Sequence, residues 1–287
     1  MIEKIKILTE LTKLRITSFV TITTALGFIS YSGQLSFTLI PTLIGILLLA
    51  CGSAAINHYQ ERDTDALMER TKNRPIPSRK ITPGDALSVS IFLVVTGSLI
   101  LFIGAGWLPM ILGLINLIWY NGIYTPLKKI NPLAIIPGSI VGAIPPAVGW
   151  VAAGGSLLDP QLTIIAFFFF IWQIPHFWLL LLVLDKDYER AGFPTLTKIF
   201  NHQQLARITF IWIIATVVSC FLIPLFGIVE SHWINLGLFA SGVWLCWDSV
   251  KLLQQAEGKI SFRFAFMHIN YFALFVVLLL SIDKLVI

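Results

Sequence analysis

The chain has 287 residues, 56% of them hydrophobic and only 12% charged, with a mean hydropathy of +0.84. Soluble domains carry about 25% charged residues, so this composition excludes a soluble globular protein and points to a chain that crosses a membrane several times. A net charge of +5 and a pI near 9.2 would suit a nucleic-acid binder, but the basic residues are shared among loops between apolar runs. That is the pattern of membrane orientation, and no nucleic-acid partner is expected.

In chain order, the first ten residues read as a short amphipathic lead-in, without the features of a cleavable signal. A span needs about 20 mostly apolar residues. Nine are expected, at 15–32, 37–59, 86–104, 107–125, 134–153, 161–184, 208–228, 232–250 and 264–284. The expected fold is therefore all-α, a polytopic membrane helix bundle forming a single domain over 1–287. Leu108-Pro-Met110 and Pro145-Pro146 are irregularities that neighbouring helices can tolerate. Cys51, Cys220 and Cys246 lie scattered in apolar segments and read as small buried hydrophobes.

All 20 Lys and Arg except Lys284 fall on one side of such a bundle, Lys259 among them. The basic side is cytoplasmic, which puts the N-terminus inside and the C-terminus outside. Both long loops, about 60–85 and 185–207, are then cytoplasmic. Each opens on acids, adds bases and reaches a proline, a pseudo-repeat that suggests two four-helix halves plus a ninth helix.

The first of these loops carries the sharpest signal. Asn57, Glu61 and Asp65 fall at i, i+4 and i+8, one face of a helix that leaves the membrane. Such a row of oxygen ligands is costly unless a cation sits there. Magnesium is usually held by one or two carboxylates together with substrate phosphates. Arg70, Lys72 and Arg74 follow and suit phosphate oxygens, as do Lys128 after span 4 and Lys186 beside the second acidic group. That group, Asp185-Lys186-Asp187-Tyr188-Glu189, is expected to face the first, with Asp187 as its working acid. Charges also collect wherever helices leave a bilayer, and Glu69, Asp85 and Glu189 are read that way.

A magnesium-diphosphate site at the mouth of an apolar cavity implies a substrate with a lipidic tail. Loss of diphosphate from an allylic prenyl chain leaves a carbocation, which aromatic faces stabilise. Phe167-Phe-Phe-Phe-Ile-Trp172 is rich in such faces and reads equally well as a packing stripe. His176 lies inside span 6 and His58 beside the acid row; on residue type alone a buried histidine is more often a packing residue than a ligand.

The segment Asn57-x-x-x-Glu61-Arg-Asp63-x-Asp65-x-x-Met68-x-Arg70-Thr-x-Asn73-Arg74-Pro75 resembles the first acidic motif of the UbiA-type intramembrane prenyltransferases. Gly142-Ala-Ile-Pro145-Pro146 with Gly149-Trp150, and Trp172-Gln173-Ile-Pro175-His176 with Lys186-Asp187-Tyr188, are similar to segments of that family's heme-farnesylating members. The resemblance covers nearly the whole chain. It departs at Glu61, where aspartate is common, at Leu184 and Tyr188, where many UbiA-type enzymes carry the second motif's acids, and at Ala134, where an asparagine is expected. The resemblance implies magnesium as cofactor, with farnesyl diphosphate and heme b as substrates, and makes His176 and His58 the candidate heme-binding residues. It implies a farnesyl group joined to the C2 vinyl of heme b and water captured to give heme O. It also implies a multi-pass protein of the bacterial inner membrane, in contact with the lipid bilayer and with a heme A synthase or terminal oxidase assembly pathway. The other readings are a UbiA-type enzyme with a phenolic or quinone-precursor acceptor, and a transporter or heme carrier. Acids gathered at one end of the spans argue against the last, since transporters bind near the midplane.

Overall fold

A computed structural model describes residues 2–254 and 262–286, so Lys259 lies outside the described residues. Every regular element among those described is a helix. The short α1 (Ile2–Leu11) precedes α2 (Leu14–Ser32), α3 (Leu39–Asp65) and α4 (Pro83–Ala105). Next come α5 (Trp107–Ile118), a π-helical turn (Trp119–Tyr124) and α6 (Thr125–Leu127). A 3-10 turn (Pro132–Ala134) leads into α7 (Ile135–Gly138) and α8 (Ile140–Ala152). The second half holds α9 (Pro160–Val183), α10 (Asp185–Arg190), α11 (His202–Leu225), α12 (His232–Ser249), α13 (Lys251–Gln254) and α14 (Phe262–Val286).

Among the described residues, 8 helices are long and apolar enough to cross a membrane. The expected span 107–125 is not one unbroken α-helix, because α5 gives way to the π turn at Trp119. A π turn admits one extra residue into the i→i−4 ladder. Here Asn121 lies at its centre, bonded to α3 through Ser53 and Gln60. The expected span 134–153 is also composite, stepping at Ser139 between α7 and α8. Helix α3 runs to Asp65, past the expected end at 59, so the whole acid row is helical.

Small residues let the helices pack at backbone contact, the usual device where lipid supplies no hydrophobic drive between helices. A Cβ on Gly149 of α8 would lie 1.9 Å from the Thr24 carbonyl oxygen of α2, and one on Gly27 would lie 2.0 Å from that of Pro146. Helices α3 and α4 meet the same way at Gly45 and Gly97. A core built on Phe168, Phe169, Trp172 and Phe272 joins α9 to α14. Phe92, Ile103, Trp233 and Trp247 face outward, as a lipid-contacting surface requires.

Candidate active site

The acid row lies on the face of α3 turned into the protein. Asn57, Glu61 and Asp65 are 1%, 6% and 2% exposed, so each needs a partner. Lys13 Nζ donates to Asn57 Oδ1 at 2.5 Å. Lys128 forms an ion pair with Glu61. Arg74 Nη1 lies 2.8 Å from both Asp65 carboxylate oxygens, and Thr71 Oγ1 donates to the Asp65 carbonyl at 2.8 Å.

Three rungs tie α3 to the π turn and α6. Ser53 Oγ donates to Asn121 Oδ1 at 2.5 Å, Asn57 Nδ2 donates to Thr125 Oγ1 at 3.2 Å, and Glu61 pairs with Lys128. The rungs are at i, i+4 and i+8 on one strand of the ladder and at 121, 125 and 128 on the other. Gln60 completes the clamp by donating to the Asn121 carbonyl at 2.9 Å.

The second acidic group meets the first loop at Arg70. Asp187 Oδ2 accepts from the Arg70 backbone amide at 3.3 Å, and Arg190 stands 3.9 Å from its other oxygen. Asp185 turns away to Thr197, whose hydroxyl lies 2.8 Å from both of its oxygens. Of the basic candidates, Arg74 and Lys128 meet the buried acids. Arg70 contributes its backbone amide while its side chain is exposed. Lys72 pairs with exposed Glu69 at 2.6 Å, and Lys186 is exposed with no ion pair among the described residues, so both stand at the rim.

Sequence reasoning missed Lys13 altogether. It sits between α1 and α2 with φ +50°, a left-handed conformation that turns the chain into the site. Burial, with Arg74 nearby, lowers its pKa to about 7, although Glu61 opposes this. Burial also pushes Lys128 down, but the adjacent Glu61 carboxylate more than offsets it and holds that ammonium above the usual lysine range. With Lys13 protonated, three cations (Lys13, Arg74, Lys128) face two buried carboxylates (Glu61, Asp65). The excess of one positive charge suits an anion.

The donors of the row and of Asp187 are all carboxylate and amide oxygens, the hard set that magnesium takes. Among the described residues no three His, Cys, Asp or Glu gather closely enough to hold an ion unaided. The set therefore fits an ion that arrives with phosphate oxygens, better than an all-protein cage.

The aromatic faces nearest the acids are not those expected. Phe168, Phe169 and Trp172 are buried core residues, and Phe167 is 42% exposed. Instead Lys128 lies over the Tyr124 ring, 5.6 Å from its centroid. Tyr124 stacks between Tyr120 and Phe177, at 5.9 and 5.6 Å. Phe177 packs on His176 at 5.5 Å. The i, i+4 spacing of Tyr120, Tyr124 and Lys128 was the available signal. His176 is half-buried, with Nδ1 2.7 Å from Asn270 Oδ1. His58 is 1% exposed, and neither ring nitrogen has a hydrogen-bond partner among the described residues. Gly142 makes room for Gln173, whose Oε1 would lie 2.5 Å from an added Cβ.

Residues 18–270 match the model of the UbiA prenyltransferase family. A protoheme IX farnesyltransferase of Geobacter sulfurreducens is 40% identical over 195 residues, 68% of this chain and 72% of the relative. One of Oleidesulfovibrio alaskensis is 30% identical over 278 residues, 96% of each. Among solved structures, a UbiA homologue from Archaeoglobus fulgidus bound to GPP and Mg2+ superposes with a TM-score of 0.71 at 14% identity, covering 95% of this chain and 97% of that one. That likeness is one of fold.

Proposed function

The chain belongs to the UbiA prenyltransferase family, and we propose that it transfers the farnesyl group of farnesyl diphosphate to the C2 vinyl group of heme b, forming heme O. The observation that carries the diphosphate half is the buried row on α3. Its Asn57, Asp65 and Glu61 already stand opposite Lys13, Arg74 and Lys128, with one positive charge in excess when Lys13 is protonated. The names of the relatives carry the acceptor.

On this reading Asn57, Glu61, Asp65 and Asp187 hold magnesium with the diphosphate, while Lys13, Arg74 and Lys128 take its oxygens. Arg70 acts through its amide, and Lys72 and Lys186 attract the anion from the rim. Bound magnesium spreads the negative charge of the leaving group. The C1–O bond of the prenyl chain breaks, with its electron pair going to diphosphate. Lys128 and Arg74 meet that charge in a buried setting, where fixed cations act more strongly than in water. Tyr124, Tyr120 and Phe177 stack beside Lys128 on the side toward His176 and offer π faces to the allylic cation. The terminal vinyl carbon bonds to farnesyl C1, the porphyrin-side carbon takes the positive charge, and water adds there with loss of a proton. His176 and His58 are the candidate heme-contacting residues.

The one-sided charge map supports a cytoplasmic mouth in a bacterial inner membrane, with the segment from Trp107 to Leu127 making the ninth crossing. Product passes to a heme A synthase or to terminal oxidase assembly. Co-expression followed by mass analysis of extracted pigment tests the reaction. The expected product is heme b enlarged by one farnesyl group and one hydroxyl group. Unchanged heme b with a prenylated phenolic acid would instead establish the alternative acceptor.

A further inference from the structure

Asn270 determines which nitrogen of His176 carries hydrogen. Its Nδ2 donates to the Phe266 carbonyl of its own helix at 2.5 Å, which turns Oδ1 toward His176 Nδ1 at 2.7 Å. An amide oxygen only accepts, so Nδ1 donates and the neutral ring has its lone pair on Nε2. Nε2 has no hydrogen-bond partner among the described residues, and the ring is half-buried rather than sealed. The rings of Trp172, Phe266 and Phe177 surround it at 4.8, 5.1 and 5.5 Å.

A lone imidazole is a poor site for a bare metal ion, which needs further protein ligands. No group of three metal-ligating residues supplies them among the described residues. Heme brings four nitrogens of its own and asks the protein for an axial ligand, commonly histidine. A ligating histidine almost always donates its other N–H to an outer acceptor, and Asn270 is such an acceptor here. The aromatic walls suit a flat apolar macrocycle. The stack from His176 through Phe177 and Tyr124 to Lys128 then joins the acceptor to the place where diphosphate departs.

We propose that His176 Nε2 is the axial ligand to the iron of the heme b acceptor, and that Asn270 is a positioning residue that fixes the ring's tautomer and plane. This rests on the farnesyl-transfer reading and adds to it how the acceptor is held. The test is resonance Raman spectroscopy of purified full-length protein loaded with ferrous heme b, with farnesyl transfer assayed on the same samples. Wild type is expected to show an iron–histidine stretching band. His176→Gly should lose it and regain a ligand band with added imidazole. Asn270→Asp strengthens the bond to Nδ1–H and should raise the frequency, and Asn270→Leu should lower it. A band unchanged in His176→Gly, or absent from wild type, overturns the ligand assignment. A band that ignores both Asn270 variants overturns the positioning role, and these two variants test the proposal even if His176→Gly does not fold. Wild type that farnesylates heme b without histidine ligation would sink this proposal alone. Wild type that does not accept heme b would sink the functional reading.

Discussion

The side-chain amide of Asn57 donates to Thr125 Oγ1 at 3.2 Å, while Asn57 Oδ1 accepts from Lys13 at 2.5 Å. One buried asparagine thus ties three separate segments together: the start of α2, the acid helix α3, and the stretch after the π turn. Thr125→Val keeps the shape and leaves a buried donor unmet, a loss of about 1–3 kcal/mol. Steady-state kinetics should show the KM for farnesyl diphosphate rising about tenfold. Thr125→Ser should behave as wild type.

Asp65 is buried and Arg74 half-buried, with side chains 3% and 16% exposed. Arg74→Ala leaves the Asp65 carboxylate without its partner and should destabilise the protein by about 3–5 kcal/mol. Thermal unfolding in detergent measures this. Lys72→Ala, which removes an exposed pair with Glu69, should leave the melting temperature unchanged.

Lys13 supplies a pH dependence. Its pKa in the folded protein is about 7, against an ordinary 10.5. Below pH 7 it is charged and the pocket carries its full positive excess. As pH rises through 7 that charge is lost, and farnesyl diphosphate should bind more weakly. The effect on stability has the opposite sign. Between about 7 and 10.5 the unfolded chain binds the extra proton, so this group's contribution to stability increases with pH across that window. Binding titrations from pH 6 to about 9 should show proton uptake on binding, and Lys13→Met should abolish the difference attributable to this residue.

Tyr124 stands between Lys128 and Phe177. Tyr124→Leu removes a π face worth about 0.5–2 kcal/mol to a cation, so kcat should fall about 2- to 30-fold. The KM for farnesyl diphosphate should change less. Tyr124→Phe retains the face and should keep most of the rate.

The acid row was legible because helical spacing survives translation into structure. Asn57, Glu61 and Asp65 share a face on α3, and α3 is long enough to hold all three. Asp187 was legible as a partner because a second acid-bearing loop had to meet the first. Lys13 was not, because it is 44 residues from Asn57 and enters through a left-handed backbone turn that no local pattern announces. The π turn was equally hidden, since an apolar run at 107–125 reads as a plain span and Asn121 draws its meaning from Ser53 and Gln60 on another helix. Phe167–Trp172 could be read from the sequence only as an alternative, cation-facing rings or a packing stripe. Aromatic content marks a segment without saying which ring faces a core; Phe168, Phe169 and Trp172 pack in the core, and the rings stacked beside Lys128 are Tyr124, Tyr120 and Phe177.

The most direct measurement of the central claim uses purified protein with farnesyl diphosphate, magnesium and heme b, following diphosphate release and farnesylated heme together. Wild type should form both in equal amounts. Asp65→Asn and Glu61→Gln should lose at least about a hundredfold in rate while still binding heme b, because they remove charge from the row without removing its shape. If either variant kept the wild-type rate, or if wild type released diphosphate without farnesylating heme b, the account would be contradicted.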